Sequence, residues 1–355
     1  MELLKQVSEH YRRDLPFVVY RKPAELKLSA FLQQDRELQI VKDFGESGFI
    51  MAPFIAGAYP TFLIRPDQFV EEPFEFGEFR LPFNSSAEVD RDQEKKIYLN
   101  KIALALEEID RKNLQKVVLS RRISFPFKTD PIAVFSLLLQ QFPRAFGYLL
   151  YHPKIGIWMG ASPETLLHCN KEKFSTVSLA GTQKAEQDIS PDWSAKEIRE
   201  QEYVTQYIVQ ALKHKIHGLR VTGPETVRAG NLYHLQTRIE ATQPQASAGQ
   251  LIQALHPTPA VCGIPTDKAR DFLLANEGYS RKYYSGFLGE LNWGADSGSH
   301  LFVNLRCMNF ENDQVHVYVG GGLVKGSDPE QEWMETVYKS ESMKHLIVNS
   351  QLKLG

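Results

Sequence analysis

Hydrophobic positions follow two different periods along this chain. In the first ninety residues, short apolar runs such as FVVYRKP, GFIMAPFIAG and TFLIRP are broken by proline and glycine, which predicts short strands joined by turns. Further strands are predicted for KVVLSRRISF, which begins at Lys116, and for FGYLLYH, IGIWMG, ETLLHCN, KFSTVSL, SGFLGELNW, LFVNLRCMNF and QVHVYVGGG. The polar stretch at residues 71–96 is interpreted as a surface connection and not as a domain boundary.

A helical period replaces this alternation in three segments. Residues 93–113 carry an apolar face, and further helices are predicted over about 194–215 and 329–350. The face of the first of these helices is formed by Leu99, Ile102, Leu106 and Ile109. Strands in antiparallel succession with helices between them predict an α+β fold built on one large core.

Composition and charge exclude several classes of protein. The 355 residues include 41 Lys plus Arg against 43 Asp plus Glu, so the basic excess typical of nucleic-acid binders is missing. No run approaches the roughly 18 apolar residues that span a membrane, and the charged start MELLKQVSEHYRRD does not match a signal peptide. Three scattered cysteines do not form a disulfide framework. We expect a cytoplasmic globular protein that binds neither nucleic acid nor membrane.

Two acidic helices repeat one spacing. Glu197 and Glu200 lie three residues apart on one helix, Glu332 and Glu335 lie three apart on the other, and Lys339 follows four residues later. Carboxylates from two helices could together hold Mg²⁺, which takes a few carboxylates with waters and substrate oxygens. The alternative, more common for acidic pairs in general, is a pair of solvated helix faces.

The segment GGGLVKGSDPEQEW joins a glycine run to a helix start. Asp328 is the predicted N-cap, with Pro329 at the first helical position and Gln331 completing a capping box. The three preceding glycines are expected to end a strand and could present N–H groups to an anion; a plain glycine turn is the favoured alternative for this segment alone. These are Gly320, Gly321 and Gly322.

Two single residues have open interpretations from the sequence alone. Lys116, at the edge of an apolar strand, either extends its amine to solvent or acts as a base in a desolvated site. Glu164 follows Ser-Pro in GASPET and is either a cap or a buried acid.

The order of eight motifs carries a family resemblance. KVVLSR, GASPETLL, SLAGTQ, KEIREQ, HPTPAVCGIP, RKYYSGFLGELNW, LFVNLRC and VGGGLVKGSDPEQEWMET together resemble the chorismate-utilising enzymes, from about Lys116 to the C-terminus. The resemblance implies one large chorismate-binding domain over residues 1–355, with antiparallel sheets packed as a sandwich and flanked by helices. Strands in 1–90 would complete its core, and 91–355 would carry the motifs.

The resemblance also implies roles for individual residues. Lys116 would be the general base and Glu164 the general acid, the first working as a neutral amine and the second as a protonated carboxyl. Glu200 and Glu335 would bind Mg²⁺ directly, supported by Glu197 and Glu332. Arg306 and Tyr284 would bind the enolpyruvyl carboxylate of chorismate, with N–H groups from residues 320–322. The remaining pocket residues would be Gly181, Thr182, His234 and Lys339.

Within the family, two positions favour water as the nucleophile. The isochorismate and salicylate synthases carry a lysine at the position of Lys116, whereas aminodeoxychorismate enzymes carry one in place of Ala180. The resemblance therefore implies an isochorismate synthase, an isomerase that takes chorismate and Mg²⁺ and needs no obligatory protein partner. Alternatives are a salicylate synthase, an ammonia-dependent anthranilate or aminodeoxychorismate synthase subunit, and an inactive binding protein. The pathway, whether menaquinone or siderophore synthesis, stays open.

The chain departs from the family pattern at two positions. Gln201 stands where many relatives have a histidine after the metal-binding glutamate, and Cys262 stands where a small residue is usual. We expect the first difference to remove one contact near the metal and the second to alter packing alone.

Overall fold

A computed structural model describes residues 2–77, 92–184, 191–229, 232–242 and 244–352. The described helices are α1 (Glu2–Arg12), α2 (Asp92–Asp110), α3 (Pro131–Gln141), α4 (Ala195–Leu212), α5 (Ala248–Leu255), α6 (Thr266–Asn276) and α7 (Pro329–Leu352). The described strands are β1 (Phe17–Arg21), β2 (Lys27–Leu32), β3 (Gln39–Ile40), β4 (Gly48–Ala52), β5 (Phe62–Ile64), β6 (Gln68–Pro73), β7 (Lys116–Pro126), β8 (Phe146–His152), β9 (Gly156–Ser162), β10 (Thr165–Cys169), β11 (Lys173–Lys184), β12 (Arg220–Ala229), β13 (Leu232–Thr242), β14 (Gly263–Ile264), β15 (Phe287–Trp293), β16 (Gly298–Val303), β17 (Cys307–Glu311) and β18 (Gln314–Val324).

These strands form two nine-stranded antiparallel sheets, which confirms the predicted α+β fold. The first sheet has the order β14-β7-β18-β17-β9-β8-β1-β2-β6, and the second has the order β12-β13-β11-β10-β16-β15-β4-β5-β3. The N-terminal strands predicted from the apolar runs lie at one end of each sheet, with β1, β2 and β6 in the first and β3, β4 and β5 in the second. The part of the predicted polar connection at 78–91 lies outside the described residues.

An aromatic layer holds the two sheets face to face. Phe146 from β8 stacks on Phe302 from β16, with 4.1 Å between the ring centroids and 11° between the planes. Tyr20 and Phe49 meet across the same interface at 5.1 Å. All four side chains are buried, so this layer contributes both hydrophobic burial and ring–ring contacts.

The helices cover the outer faces of this sandwich. Helices α3 and α7 pack with the first sheet in one hydrophobic cluster, and α4 and α5 pack with the second sheet in another. Helices α2 and α6 enclose the end of the first sheet around β7. Because α4 and α7 each contact β18, the two acidic helices approach the same strand from opposite sheets. In the part of the chain described, no helix has the length and apolar character needed to cross a membrane.

The predicted helix starts are confirmed by their caps. Ser194 caps α4 in a capping box with Glu197, which was not foreseen, and the Asp328 carboxylate accepts a hydrogen bond from the Gln331 N–H at 2.8 Å. Helices α1, α3, α5 and α6 were not predicted.

The prediction that three glycines end a strand was wrong. Gly320, Gly321 and Gly322 lie inside β18, opposite Ser120, Leu119 and Val118 of β7. The pairing with β7 continues to Val324 because a glycine in an extended strand still forms the ladder. These glycines therefore do not form a turn. Because they lack side chains, they leave space beside the strand for neighbouring groups.

Candidate active site

One cavity between the sheets brings together most of the predicted site residues. Its wall is formed by the strands β7, β11, β13 and β18, the turn after β9, the segments before β14, before β15 and after β16, and the helices α4 and α7. The predicted residues lining it are Glu164, Gly181, Thr182, Glu200, His234, Tyr284, Arg306, Gly320, Gly322, Glu335 and Lys339. The site therefore draws on segments from both halves of the sequence.

A second cavity adjoins the first and contains the acidic residues. It shares Thr182, Glu200 and Glu335 with the first cavity and adds Glu197 and Glu332. We call this second cavity the acidic chamber. Two predicted residues line neither cavity directly: Lys116 lies behind Glu200, and Gly321 lies beneath Glu332 and Glu335.

A buried ion pair joins the strand β7 to the helix α4. The Lys116 side chain is 1% exposed, and its Nζ lies 2.9 Å from Glu200 Oε1. Burial opposes ionisation of Glu200, but Lys116, with Lys196 and Lys339, outweighs it and lowers the pKa of this carboxyl. A Cβ atom at Gly322 would lie 2.3 Å from Glu200 Oε1, so only glycine leaves room for this pair.

The other carboxylates of the acidic chamber also have ammonium partners. Lys196 Nζ lies 2.5 Å from Glu332 Oε1, and Lys339 Nζ lies 2.6 Å from Glu335 Oε1 and 3.0 Å from the Gly320 carbonyl. Burial and the neighbouring Glu335 raise the pKa of Glu332 to about 7, although Lys196 opposes this shift. Lys196 was not predicted, since sequence spacing does not show which cation a helix brings to a distant acid.

Glu197 differs from the other three acids. Its carboxylate accepts hydrogen bonds from Gln183 Nε2 and from the Ser194 N–H, the second at 2.9 Å. The bond from the Ser194 N–H is part of the capping box of α4, so Glu197 stabilises the helix start while it lines the chamber.

The acidic chamber has the donor chemistry that Mg²⁺ prefers. Four carboxylates line it, and Glu332 Oε2 is buried without a hydrogen-bond partner among the described residues. The described residues contain no group of three or more His, Cys, Asp or Glu already gathered around one point. Instead, ammonium groups balance Glu200, Glu332 and Glu335. The residues therefore fit a hard cation that would take oxygens now paired with lysines.

Glu164 is positioned as a neutral acid on the wall of the main cavity. Its side chain is 3% exposed, and burial raises its pKa to about 8 against the opposing charges of Lys116 and Lys339. The backbone is fixed because the Val303 N–H donates to the Glu164 carbonyl at 3.0 Å. At neutral pH this carboxyl can donate a proton.

Arg306 and the neutral hydroxyl of Tyr284 lie elsewhere on the wall of the same cavity. His234 Nδ1 lies 2.9 Å from the Gly181 carbonyl, so we assign the proton to Nδ1, and Nε2 then accepts from Arg306 Nη2 at 3.3 Å. Burial, Arg306 and Lys339 together lower the pKa of His234 to about 3, which keeps the ring neutral. Burial raises the pKa of Tyr284, whose ring stacks on Tyr318 at 5.3 Å. This arrangement suits recognition of a carboxylate.

A buried arginine outside the predicted set holds three segments of the cavity wall. Arg281 donates to the carbonyls of Val118 at 2.6 Å and Val261 at 2.8 Å, to Ser285 Oγ at 3.3 Å, and to both carboxylate oxygens of Glu277. Val118, Val261 and Ser285 all line the cavity. The only sequence signal was its position in the motif RKYYSG.

The two departures from the family pattern have local structural roles. Gln201 is buried, and its Nε2 donates to the Ser178 carbonyl at 2.9 Å and to Thr237 Oγ1 at 3.1 Å, which connects α4 to β11 and β13. Its Oε1 has no hydrogen-bond partner among the described residues. Cys262 is buried, and its Sγ lies 3.5 Å from the Thr266 carbonyl, away from the cavity wall.

Comparisons with known proteins identify relatives of this chain. A family model described as chorismate binding enzyme matches residues 76–348. The chain is 32% identical to the isochorismate synthase EntC of Escherichia coli (strain K12) over 65% of this chain and 61% of EntC. It is also 32% identical to the isochorismate synthase DhbC of Bacillus subtilis (strain 168) over 69% of this chain and 66% of DhbC. The chain thus spans less than two thirds of the length of each.

Solved structures share the fold. The menaquinone-specific isochorismate synthase MenF from Escherichia coli superposes with a TM-score of 0.76 at 22% identity, covering 94% of this chain and 88% of that one. Anthranilate synthase component I from Streptococcus pneumoniae TIGR4 gives a TM-score of 0.66 at 17% identity, with 92% of each chain covered. At these identities the likeness concerns the arrangement of sheets and helices.

The raised pKa of Glu164 predicts a pH-dependent stability difference. Between its ordinary value of 4.5 and about 8, the folded protein holds a proton that the unfolded chain releases. The contribution of the protonated Glu164 to the stability of the folded protein is therefore fully present below pH 4.5. It is lost as the pH rises through about 8. Relative to Glu164→Gln, the wild-type free energy of unfolding should fall by up to about 1.4 kcal/mol per pH unit in this window.

Urea unfolding of both proteins from pH 4 to pH 9 measures this difference. Glu107→Gln, on a side chain that is 59% exposed, is the control, and its curve should follow the wild type. A constant offset between wild type and Glu164→Gln across the whole range would contradict the neutral, buried carboxyl.

Proposed function

This chain belongs to the chorismate-binding enzyme family, and on that basis we propose that it is an isochorismate synthase. It would convert chorismate to isochorismate by attack of water at C2 with loss of the 4-hydroxyl, an isomerisation that depends on Mg²⁺. The observation that carries the proposal is that a protonated Glu164 and a carboxylate-binding wall line one cavity, with the buried Lys116 directly behind Glu200 of the same wall.

Arg306 and Tyr284 would bind the enolpyruvyl carboxylate. The guanidinium can donate to both carboxylate oxygens, and the tyrosine stays a neutral donor because burial raises its pKa. Neutral His234 orients Arg306 through Nε2. Gly320 and Gly322 lie on the cavity wall, and the lack of a side chain there gives space to the Tyr284 hydroxyl and the Glu200 carboxylate.

Glu164 would protonate the departing 4-hydroxyl. Hydroxide is a poor leaving group, so bond breaking needs a positioned acid. Lys116 would remove a proton from the attacking water as a neutral amine, so its ion pair with Glu200 would have to be released first. Lys116 lies behind Glu200, whose carboxylate lines both the main cavity and the acidic chamber, and this contact connects the nucleophile side of the reaction to the acids that would hold the metal.

Glu200 and Glu335 would be the direct Mg²⁺ ligands, with Glu197 and Glu332 in support. When bound, Mg²⁺ would neutralise the ring carboxylate of chorismate and fix it in place. Glu332 offers a buried oxygen without a hydrogen bond, and Gly321 leaves that oxygen space, since a Cβ there would lie 3.2 Å from it.

The proposal also covers partners and location. A water nucleophile requires no ammonia-supplying subunit, so we propose that the chain acts without an obligatory protein partner. The three cysteines are free and buried, which is consistent with a reducing compartment and supports the cytoplasm. The named relatives include a menaquinone-specific enzyme, and menaquinone or siderophore synthesis are both pathways the product could enter.

Incubation with chorismate and Mg²⁺ in ¹⁸O-labelled water tests the proposed reaction. Separation by chromatography with mass detection should show isochorismate that carries one label, without salicylate or free pyruvate. Enzyme-dependent salicylate and pyruvate would instead indicate a salicylate synthase. An aminated product that forms with added ammonia alone would overturn water as the nucleophile.

Replacement of Lys116 tests whether this lysine acts as a base or only binds the substrate. We expect Lys116→Ala to lower kcat by about 10²–10⁴-fold, because water loses its base, while Mg²⁺-dependent chorismate binding stays within a few fold. Lys116→Met, which retains most of the buried volume, is the packing control and should lose turnover equally. Calorimetry measures the binding. Loss of binding together with turnover would mean that the lysine is a ligand contact and not a base.

Glu335→Gln tests the metal assignment. Removal of a ligand charge should raise the Mg²⁺ concentration for half-maximal activity at least about tenfold. The matched control is Glu330→Gln on the same helix, where the side chain is 61% exposed and pairs with Lys95. Steady-state rates over a Mg²⁺ titration compare the two variants, and an unchanged requirement in Glu335→Gln would remove it from the ligand set.

A further inference from the structure

A third cavity adjoins the main cavity on the side away from the acidic chamber. It shares Pro163, Leu179 and Arg306 with the main cavity, so Arg306 forms part of the wall of both. Its own wall adds Arg144, from the loop between α3 and β8, and Arg228, from β12. We call this cavity the arginine vestibule.

The vestibule and the acidic chamber have opposite charge. Three guanidinium groups line the vestibule, and its described lining contains no carboxylate. The acidic chamber has four carboxylates and one lysine on its wall. The two cavities adjoin the same main cavity, so a charged ligand meets a different electrostatic potential on each side.

The loop that carries Arg144 is held in place from behind. Arg21 of β1 is fully buried, and its guanidinium donates to the carbonyls of Phe142 and Pro143, each at 2.8 Å. Arg144 itself is exposed, and its side chain makes no hydrogen bond or ion pair within the described part of the chain. A fixed backbone thus presents an exposed cation at the edge of the vestibule.

Arg228 is held at the opposite wall. It lies on β12 opposite Tyr233 of β13, with its guanidinium 5.9 Å from the centroid of the tyrosine ring. Its side chain is exposed, as is that of Arg144, so both cations face solvent. Arg306, deeper in the same wall, is partly buried and contacts the main cavity.

We propose that the arginine vestibule captures the dicarboxylate substrate and delivers it to Arg306. Arg144 and Arg228 attract the dianion from solution, and Arg306 then takes one carboxylate within the main cavity. A cation would reach its site from the acidic chamber, so the two charged ligands approach from separate sides. The inference rests on the proposed function because it takes chorismate as the dianion.

The double variant Arg144→Gln/Arg228→Gln tests this inference. Stopped-flow intrinsic fluorescence with Mg²⁺ present measures the association rate constant for chorismate over a range of ionic strength. We expect a fall of about tenfold at low salt, a shallower salt dependence than the wild type, and an unchanged kcat. The single charge reversal Arg144→Glu should lower the association rate as well.

A charge-matched double variant supplies the control. Arg111→Gln/Arg270→Gln removes the same two charges from side chains that are 64% and 42% exposed and lie outside both cavities. Its association rate should stay within about twofold of wild type. If the vestibule variant associates as fast as this control while the enzyme still turns over chorismate, the vestibule has no role in capture. Wild-type protein that neither binds nor converts chorismate would overturn the proposed function and the vestibule together.

Discussion

The site depends on charge balance between buried carboxylates and lysines. Glu200, Glu332 and Glu335 come from two helices on different sheets, and each would be strongly destabilising in this interior without a partner. Lys116 comes from β7, which pairs with β18, Lys196 comes from α4 and Lys339 from α7. The Lys196–Glu332 pair joins α4 to α7 and the Lys116–Glu200 pair joins α4 to β7, so these two ion pairs contribute to the position of α4 together with hydrophobic packing. The sandwich supplies a rigid frame on which the charges meet.

The regular parts of this frame were predictable where sequence period and burial agree. The alternating strands were recognisable from their period, and α2, α4 and α7 from their length and their mixture of apolar and polar positions; α4 also has a capping box. Helix α3 was missed because PIAVFSLLLQQ is a short and almost entirely apolar run, and period alone does not distinguish such a run from a buried strand. The glycines of β18 were misinterpreted for a related reason, because a pleated ladder tolerates them and the sequence does not show the carboxylates that need their space.

The site was predictable as a set of residues and not as a set of contacts. The motif order brought Glu164, Glu200, Arg306 and Lys339 into one list, and the fold places them around one cavity. It did not show that Lys116 pairs with Glu200 or that Glu197 caps its own helix, since these contacts depend on where distant strands and helices meet. Lys196 and Arg281 were missed because the contacts that define their roles, with Glu332 for Lys196 and with the Val118 carbonyl for Arg281, involve residues that are remote in sequence.

The clamp formed by Arg281 has a consequence for how the cavity moves. The Arg281 guanidinium donates hydrogen bonds to the carbonyls of Val118 and Val261 and to the hydroxyl of Ser285. Its partner Glu277 accepts a hydrogen bond from the Ser120 N–H, on the same strand as Val118. Opening any one of these segments would break a hydrogen bond to a buried charged group, at a cost of about 1.5–3 kcal/mol. Amide hydrogens along this wall should then exchange with solvent about as slowly as those of the sheets, and breathing motions would be confined to the opposite rim. A ligand too large for the resting cavity would therefore enter by displacing the part of the wall that Arg281 does not contact.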